Sequence, residues 1–551
     1  MKKFTRILSL LLTACLLASC APQAPSSSSG SPNSSKPSGA QSGEPAGKEE
    51  KVMTIGTQYS IATLNPLKAT ADGDRYVLCN IYESLVEYDS AGKFVPGFAQ
   101  SWETEDDHTW VFHLKDNSYW QTGNDLFKDE KVPVTANDVK QIFEMTMDEA
   151  NESAQRVAVS SNLESIEVVD DTTIKFITKT PDAYFLSTLA NVYLFPPKAI
   201  ETGFDLTKFP VGSGPYKFVK YATDDEVVLE KNADFAIEPG LDEVVFKIIP
   251  DKSVLAISLQ NNEIDLATTV MPNDLASVLA KEDLTVVANA SGWYRYMGFN
   301  FDNELFQDPD IRRAVCMAID VDSAIAATFR NDANVDIAVR AYGPIPLEFV
   351  GADEEAWKKV TPAYDPEGAK ALIESKGYTL NANGIYEKDG QELTFTLKSA
   401  NYDPNMKFGI IVSTELKKIG INCVSQPTEW ATLLSDLKAG NKEAFIMGGG
   451  STLTGMNSLF HSVKSKGGSH ALNYVNLELD AKLDQAFATM DETARAALLS
   501  EASCIAMEDC AELPLFFEYA QWGMNKRVQD FAQTPALYFS LTNSQRNITV
   551  K

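Results

Sequence analysis

The stretch that most limits how this chain can fold is Gly298–Asp320, GFNFDNELFQDPDIRRAVCMAID. An extended run ends in Asn300, a polar turn follows, and a helix starts at once. Asp308 is placed as an N-cap and Pro309 as the first helical residue, where a missing N–H is no loss. Ile311, Ala314, Val315, Ala318 and Ile319 recur at helical spacing and predict one apolar face. Arg312 and Arg313 fall off that face. On physics alone this is a capped amphipathic helix fed by a strand.

The chain has 551 residues, too many for one hydrophobic core, so several domains are expected. A formal charge of −28 argues against nucleic acid and against an anionic membrane surface as partners. Of the seven cysteines, Cys15 and Cys20 belong to the N-terminal segment. Cys79, Cys316, Cys423, Cys504 and Cys510 are scattered, form no CxxC or Cys/His cluster, and give no disulfide framework and no zinc site.

Lys2, Lys3 and Arg6 make a basic start, and Ile7–Ala18 is an apolar core too short to span a bilayer as a mature helix. It ends Leu17-Ala18-Ser19-Cys20, which resembles the bacterial lipobox, in which the cysteine is acylated and becomes the new N-terminus; a plain secretory peptide is the alternative. Two or three acyl chains would anchor a protein stably where one would not. Residues 21–50 are Ser, Pro, Gly and Ala with almost no large apolar side chain, the composition of a flexible tether.

From Val52 onward strands and helices are legible. Val52 and Ile55 begin a strand, and Asp72–Leu85 reads as a helix. Pro96–Trp102 reads as a short helix, and Thr109–Leu114 alternates as a hairpin strand. Thr135 and Asp138 form a capping-box-like pair before Val139, Ile142 and Phe143. Ile166–Val169 and Thr172–Thr178 read as a hairpin through Asp170-Asp171. Further strands are Val227–Asn232, Val244–Ile249, Trp293–Asn300, Leu393–Ser399, Ile421–Ser425, Glu443–Met447 and Leu513–Tyr519. Helices include Ser253–Asn261, Lys407–Ile419, Trp430–Ala439 and the pair Leu479–Met490 and Asp491–Ala511.

Several strings in this order resemble landmarks of the extracellular solute-binding proteins of ABC importers, the class carrying dipeptides, oligopeptides and nickel complexes. They include Thr109–Leu114 (TWVFHL), Thr135–Val139 (TANDV), Gly212–Tyr216 (GSGPY), the opening Gly298–Asp320 stretch, and Tyr364–Leu372 (YDPEGAKAL). The resemblance covers about residue 52 to residue 551. It implies an α/β, two-lobed periplasmic-binding-protein-like type II fold with an extra subdomain inserted in the first lobe. The implied division begins with a lipoprotein signal peptide at 1–20 and a tether at 21–50. Lobe I opens at 51–95, is interrupted by the inserted subdomain at 96–208, and resumes at 209–299. Lobe II follows at 300–515, and a C-terminal return to lobe I at 516–551. The resemblance also implies a monomer held by lipid on the extracytoplasmic face, at the cell surface or in the periplasm. That receptor would capture a small peptide or peptide-like solute and deliver it to an ABC permease with its ATPase subunits. The alternatives are the same fold binding an oligosaccharide or metal chelate, or serving as a surface signalling receptor.

No catalytic constellation appears. The four histidines His108, His113, His461 and His470 join no G-x-S-x-G or H-E-x-x-H string, and His461 and His470 fall in a polar loop as solvated side chains. No cofactor and no metal site is expected. The resemblance places a cleft-lining Trp at Trp430. At Gly448 it places a Gly-Trp-x-x-Asp string whose Asp pairs with a ligand's α-amino group. This chain reads Gly448-Gly449-Gly450-Ser451-Thr452, so Gly449 stands at the Trp position and Thr452 at the Asp position. Either another carboxylate such as Glu429 serves, or a peptide is held by its middle, or the solute is a sugar, a blocked peptide or a chelate. The glycines suggest a roomier pocket. Tyr59, Trp293, Tyr294, Tyr296 and Asn457 are further cleft candidates, and Asn300 is expected near the hinge.

Overall fold

The computed structural model describes residues 50–90, 92–450, 453–532 and 539–551. The expected signal peptide with Cys20, nearly all of the tether, and Ser451 and Thr452 lie outside the described residues.

One sheet organises the fold. Its strands are β1 (Val52–Thr57), β2 (Tyr216–Ala222), β3 (Glu226–Lys231), β4 (Glu243–Ile248), β5 (Leu266–Ala267), β6 (Leu284–Phe299), β7 (Ala338–Arg340), β8 (Thr394–Ala400), β9 (Asn422–Thr428), β10 (Ala444–Gly450) and β11 (Glu512–Asn525). Their order is β9-β8-β10-β6-β11-β5-β1-β4-β3-β2, with β7 on β11. Among the described residues, only β6 and β11 serve both halves of this sheet. The leading stretch of β6, Leu284–Ala290, pairs β11 from Asn525 to Tyr519; the trailing stretch, from Trp293 on, pairs β11 from Glu518 back. The register breaks between Ala290 and Trp293, a bulge of the kind that bends a strand and re-aims its side chains. The register break thus lies inside the long strands, between the two stretches of β6.

Strand direction then fixes where a cleft can be. β5 is antiparallel to β11 and β1 is parallel to β5 and β4, so all three run the way β6 runs. β10 is antiparallel to β6, and β8 and β9 are parallel to β10. The carboxyl ends of the parallel strands of each lobe thus point at the other lobe, across the break in β6. Ligands of open α/β sheets bind outside the carboxyl ends of strands.

Around β6 the period-2 alternation feeds two cores. Met297 and Phe299 enter one with Phe395, Phe408 and Phe516. Tyr294 and Tyr296 enter another with Phe445, Met447 and Phe517. The inserted subdomain has its own four-stranded antiparallel sheet, ordered Ala99–Thr104, Thr109–Leu114, Thr173–Thr178, Leu163–Asp170. Its helix Ala136–Met147 carries the expected capping box: the Asp138 N–H donates to Thr135 Oγ1 at 3.3 Å, and the Thr135 N–H to Asp138 Oδ2 at 2.8 Å. Phe143 meets Phe176 edge-on at 4.9 Å.

Three expectations need correction. Pro96–Trp102 is no helix: Phe94–Pro96 and Ala99–Thr104 are strands, the latter pairing Trp102 with Phe112 and Thr104 with Trp110. Pairing to a ready partner overrode a weak local preference. The helix that begins at Pro309 stops at Met317, and Asp320 caps a new one at Val321 by accepting from the Ser323 N–H at 3.0 Å. Arg312 is buried at 4% exposure. Its guanidinium donates to Phe306 O at 2.7 Å and Asp509 O at 2.8 Å and lies 4.4 Å from the Phe301 ring centroid, so its contacts offset the cost of desolvating it.

Candidate functional site

At the lobe II edge, Tyr402 follows β8 by two residues, Trp430 follows β9 by two, and Gly448–Gly450 ends β10. Because β8, β9 and β10 are parallel, these ends lie side by side. Trp430 opens the helix Trp430–Lys438, held there by Glu429, whose carboxylate accepts from the Thr432 N–H at 3.1 Å. Glu429 is thus an N-cap, held below the usual carboxylate range by hydrogen bonds from the backbone at Ala431 and Thr432. Tyr402 and Trp430 stand 6.2 Å apart, ring centre to ring centre, at 46% and 38% exposure, and Trp293 at 41%. Large aromatics left this open at a strand edge are a surface shaped for contact.

Trp293 pairs with Glu518 across β6 and β11, and alternation puts Arg295 on the same face. Arg295 donates through Nε and Nη2 to Glu518 Oε2, at 2.9 and 2.6 Å, and its guanidinium carbon lies 5.7 Å from the Trp293 ring centroid. The Tyr402 hydroxyl is pushed up by burial, with Arg295 pulling it down and Glu518 pushing it up, so both charges reach this ring. The Arg295 and Glu518 side chains are 16% and 26% exposed.

This pair explains a glycine. A Cβ on Gly448 would lie 1.7 Å from Arg295 Nη1 and 2.7 Å from its Cζ. Gly448 is the strand neighbour of Arg295, and the space it leaves is filled by the guanidinium. That corrects the expectation of a roomier pocket there. Gly449 points to the other face, where a Cβ would meet the His470 ring at 3.3 Å, and Gly450 pairs with Trp293.

The remaining expected residues scatter. Tyr294 is fully buried, donates to Glu512 Oε1 at 2.5 Å and stacks on Tyr296 at 5.5 Å, so it belongs to the core. Tyr296 is also fully buried. Asn300 is buried at the far end of β6, remote from the break; it donates to Lys442 O at 2.9 Å and ties that turn. Asn457 is 8% exposed on the helix Leu453–Phe460, and its Oδ1 lacks a partner among the described residues. Tyr59 does sit at the facing edge, just after β1. It stacks on Tyr76 at 6.0 Å, and burial, then Asp72, raises its hydroxyl. Beside it the Thr268 hydroxyl, just past β5, donates to Gln58 Oε1 at 3.2 Å.

Where the inserted subdomain meets lobe II there is a cavity of about 560 Å³, walled by Trp102, Trp110 and Tyr184 on one side and by Phe349, Thr454 and Arg495 on the other. The two walls touch at its rim: the Ala183 N–H donates to Phe487 O at 3.0 Å, and Tyr184 stacks on Phe487 at 6.1 Å. His461 and His470 are not the solvated loop side chains expected: the first is buried and the second half-buried. His461 is 5% exposed and accepts from the Val463 N–H at 3.2 Å; Tyr296 Oη and His470 Nδ1 share a hydrogen bond of 2.9 Å. Burial, then Lys442, lowers the His470 imidazole. No group of three or more His, Cys, Asp or Glu positioned to hold a metal occurs among the described residues.

Sequence reasoning missed Arg295, Glu518 and Tyr402. One signal was available: Glu518 is a lone carboxylate in the apolar run Leu513–Ala520, LPLFFEYA. Its partner could not be read, since 223 positions separate it from Arg295.

A family model described as bacterial extracellular solute-binding proteins, family 5 Middle, matches residues 93–471. The oligopeptide-binding protein AppA of Bacillus subtilis (strain 168) is 27% identical over 500 residues, covering 88% of this chain and 87% of its own. The solved structure of HbpA2 from Haemophilus parasuis has TM-score 0.79 and 21% identity over 91% of this chain and all of that one. The periplasmic binding protein DppA from Helicobacter pylori, solved with the peptide STSA, has TM-score 0.69 and 24% identity over 91% of this chain and 98% of that one. Both share the two-lobed α/β fold expected from the sequence. Matched by the family model over more than half its length, the chain belongs to the bacterial extracellular solute-binding proteins, family 5, which bind solutes rather than transform them.

Proposed function

We propose that this protein is a receptor, lipid-anchored at Cys20, that captures a peptide or peptide-like solute between its lobes and delivers it to an ABC permease. The observation that carries this reading is the convergence of strand ends from both lobes on one edge bearing exposed Trp293, Tyr402 and Trp430 beside a charged pair. Aromatic walls with a few fixed polar groups are the usual makeup of a small-solute site between domains. Membership of the family and the names of its peptide-binding relatives support the peptide class. The lipid anchor rests on the lipobox-like Leu17–Cys20, and the tether gives the folded portion freedom to reach a permease.

A thermal-shift panel of unmodified di- to tetrapeptides, oligosaccharides and nickel–histidine tests it. At a peptide concentration 100 times Kd, stabilisation of about 2.7 kcal/mol is expected, saturating with dose. A shift from an oligosaccharide or chelate with none from any peptide would overturn the peptide reading. The anchor has its own check: Cys20→Ala should release the protein from the cell's membrane fraction, and retention there would refute it.

A further inference from the structure

We propose that Cys316 and Cys510 form a modification site: outside the cytoplasm they are oxidised to a disulfide that staples the two ends of lobe II together. The oxidant is the disulfide of an extracytoplasmic thiol oxidase or of glutathione. This rests on the export part of the reading above and not on what the protein binds. In sequence the two cysteines are far apart, with most of lobe II between them. Packing brings them together, as free thiols in this structure.

The helix Pro309–Met317 lies against the turn that follows the helix Glu492–Glu508. Arg312 Nε donates to Cys510 O at 3.2 Å, and Arg313 Nη2 to Glu508 O at 2.7 Å. Cys316 is one helical turn beyond Arg312 and so shares the face turned to that segment. Cys316 is 2% exposed and Cys510 1%, in one apolar cluster with Leu513 and Phe516. The strongest influence on each thiol is a hydrogen bond with the other, which raises Cys316 and lowers Cys510. Burial opposes the fall at Cys510, and Arg313 and Arg312 add to it. One thiol is thereby readied to attack and its neighbour to resolve, the pairing that thiol–disulfide exchange uses.

The backbone at Cys510 is a second, independent observation. The Ala511 N–H donates to Ala506 O at 2.9 Å and the Cys510 N–H to Met507 O at 3.1 Å, which is a Schellman closure of the helix. Cys510 therefore occupies the left-handed position, at φ +47°, that glycine fills at least cost. The chain carries a β-carbon there at some loss of stability, and the side chain it carries meets Cys316. Cys79 and Cys423 differ: burial is the main influence on both and pushes their thiols up, as in inert packed cysteines.

The exchange balances as follows. The Cys510 thiolate attacks one sulfur of the oxidant's disulfide, that S–S bond breaks, and one thiolate leaves a mixed disulfide behind. Cys316 then attacks the Cys510 sulfur and expels the second thiolate. Two cysteine thiols give up two electrons and two protons, and one disulfide becomes two thiols. Both sulfurs are buried once folding is complete, so the exchange belongs to the folding chain.

The test refolds the full chain from urea in oxidised or reduced glutathione, then blocks remaining thiols with iodoacetamide in denaturant. The oxidised sample should carry two fewer alkyl groups by intact mass, and a non-reducing peptide map should join the segments holding Cys316 and Cys510. Dithiothreitol should lower its melting temperature by several degrees, because opening the bridge frees a long loop in the unfolded chain. Cys316→Ala should abolish the bridge and the dithiothreitol effect together, and Cys510→Ala serves if that variant fails to fold. Alkylation of every cysteine after oxidised refolding, or a bridge that uses Cys79, Cys423 or Cys504, would overturn the pairing. Protein taken from its own cells with thiols blocked at lysis should show the same bridge. A bridge made on refolding but absent from those cells would refute the oxidation outside the cytoplasm, a result distinct from failure of the pair itself.

Discussion

Glu512 shows what one buried residue costs and what it fixes. It is 1% exposed, at the start of β11, and Tyr294 donates to one of its oxygens while the other has no partner among the described residues. Burial, opposed by the Tyr294 hydrogen bond, pushes its carboxyl up to about 8. The fold therefore keeps this proton through neutral pH, while the unfolded chain releases it near 4.5. Between those values the native state binds more protons, so this group's contribution to stability falls as pH rises and levels off above about 8. Glu512→Gln should flatten that fall: urea unfolding at several pH values would show the variant gaining on the native chain from pH 5 to 8. A difference that is constant or reversed across that range would contradict a protonated Glu512. Gly448 and Arg312 carry the same lesson in space rather than charge. Each looks ordinary in sequence, a flexible glycine and a surface arginine, because the groups that define them arrive from distant segments.

Elements were legible where their ends carry side-chain chemistry. The helix Ala136–Met147 follows from Thr135 and Asp138, whose reciprocal bonds satisfy orphan N–H groups within four residues of sequence. Thr135→Ala should lower stability by about 1 kcal/mol, while Thr135→Ser, which keeps the hydroxyl, should cost much less; the midpoints of urea unfolding measure both. Equal losses would mean the cap contributes little. Asp308 was equally readable, its carboxylate accepting from the Asp310 N–H at 3.0 Å, although its second partner, Lys376 at 2.9 Å, was not. Pro96–Trp102 failed because a strand with no internal caps is defined by its neighbour. Gly97 sits against the backbone of Ser84, where a Cβ would meet the carbonyl oxygen at 2.4 Å, and the Ala99 N–H donates to Leu85 O at 3.0 Å.

At the scale of the molecule, two strands do the joining. β6 and β11 pass from one lobe to the other, and the register break between Ala290 and Trp293 lies at the charged, aromatic edge. On the proposed reading, a solute held there would touch both of these strands, so binding and closure would share residues. The rim contact of Tyr184 with Phe487 ties the two walls of the cavity together, and we predict that it resists their parting. Phe487→Ala should speed peptide release about five-fold, the worth of an aromatic pair of about 1 kcal/mol, with little change in association. Stopped-flow dissociation would show it, and an unchanged release rate would remove the rim from the closing contact. The sequence alone determined the family, the α/β class, most strands and helices, and the acidic character of the chain, because periodicity, caps and landmark strings are local. It pointed to the candidate edge through Trp430, the glycines after it, Trp293 and Tyr59. Tertiary structure alone decided that Tyr294, Tyr296 and Asn300 are spent inside, that Gly448 makes room for Arg295, and that Glu518 stands opposite. The physical reason is that a sheet brings residues hundreds of positions apart to within about 3 Å, and the meaning of a charge or a gap depends on what stands across from it.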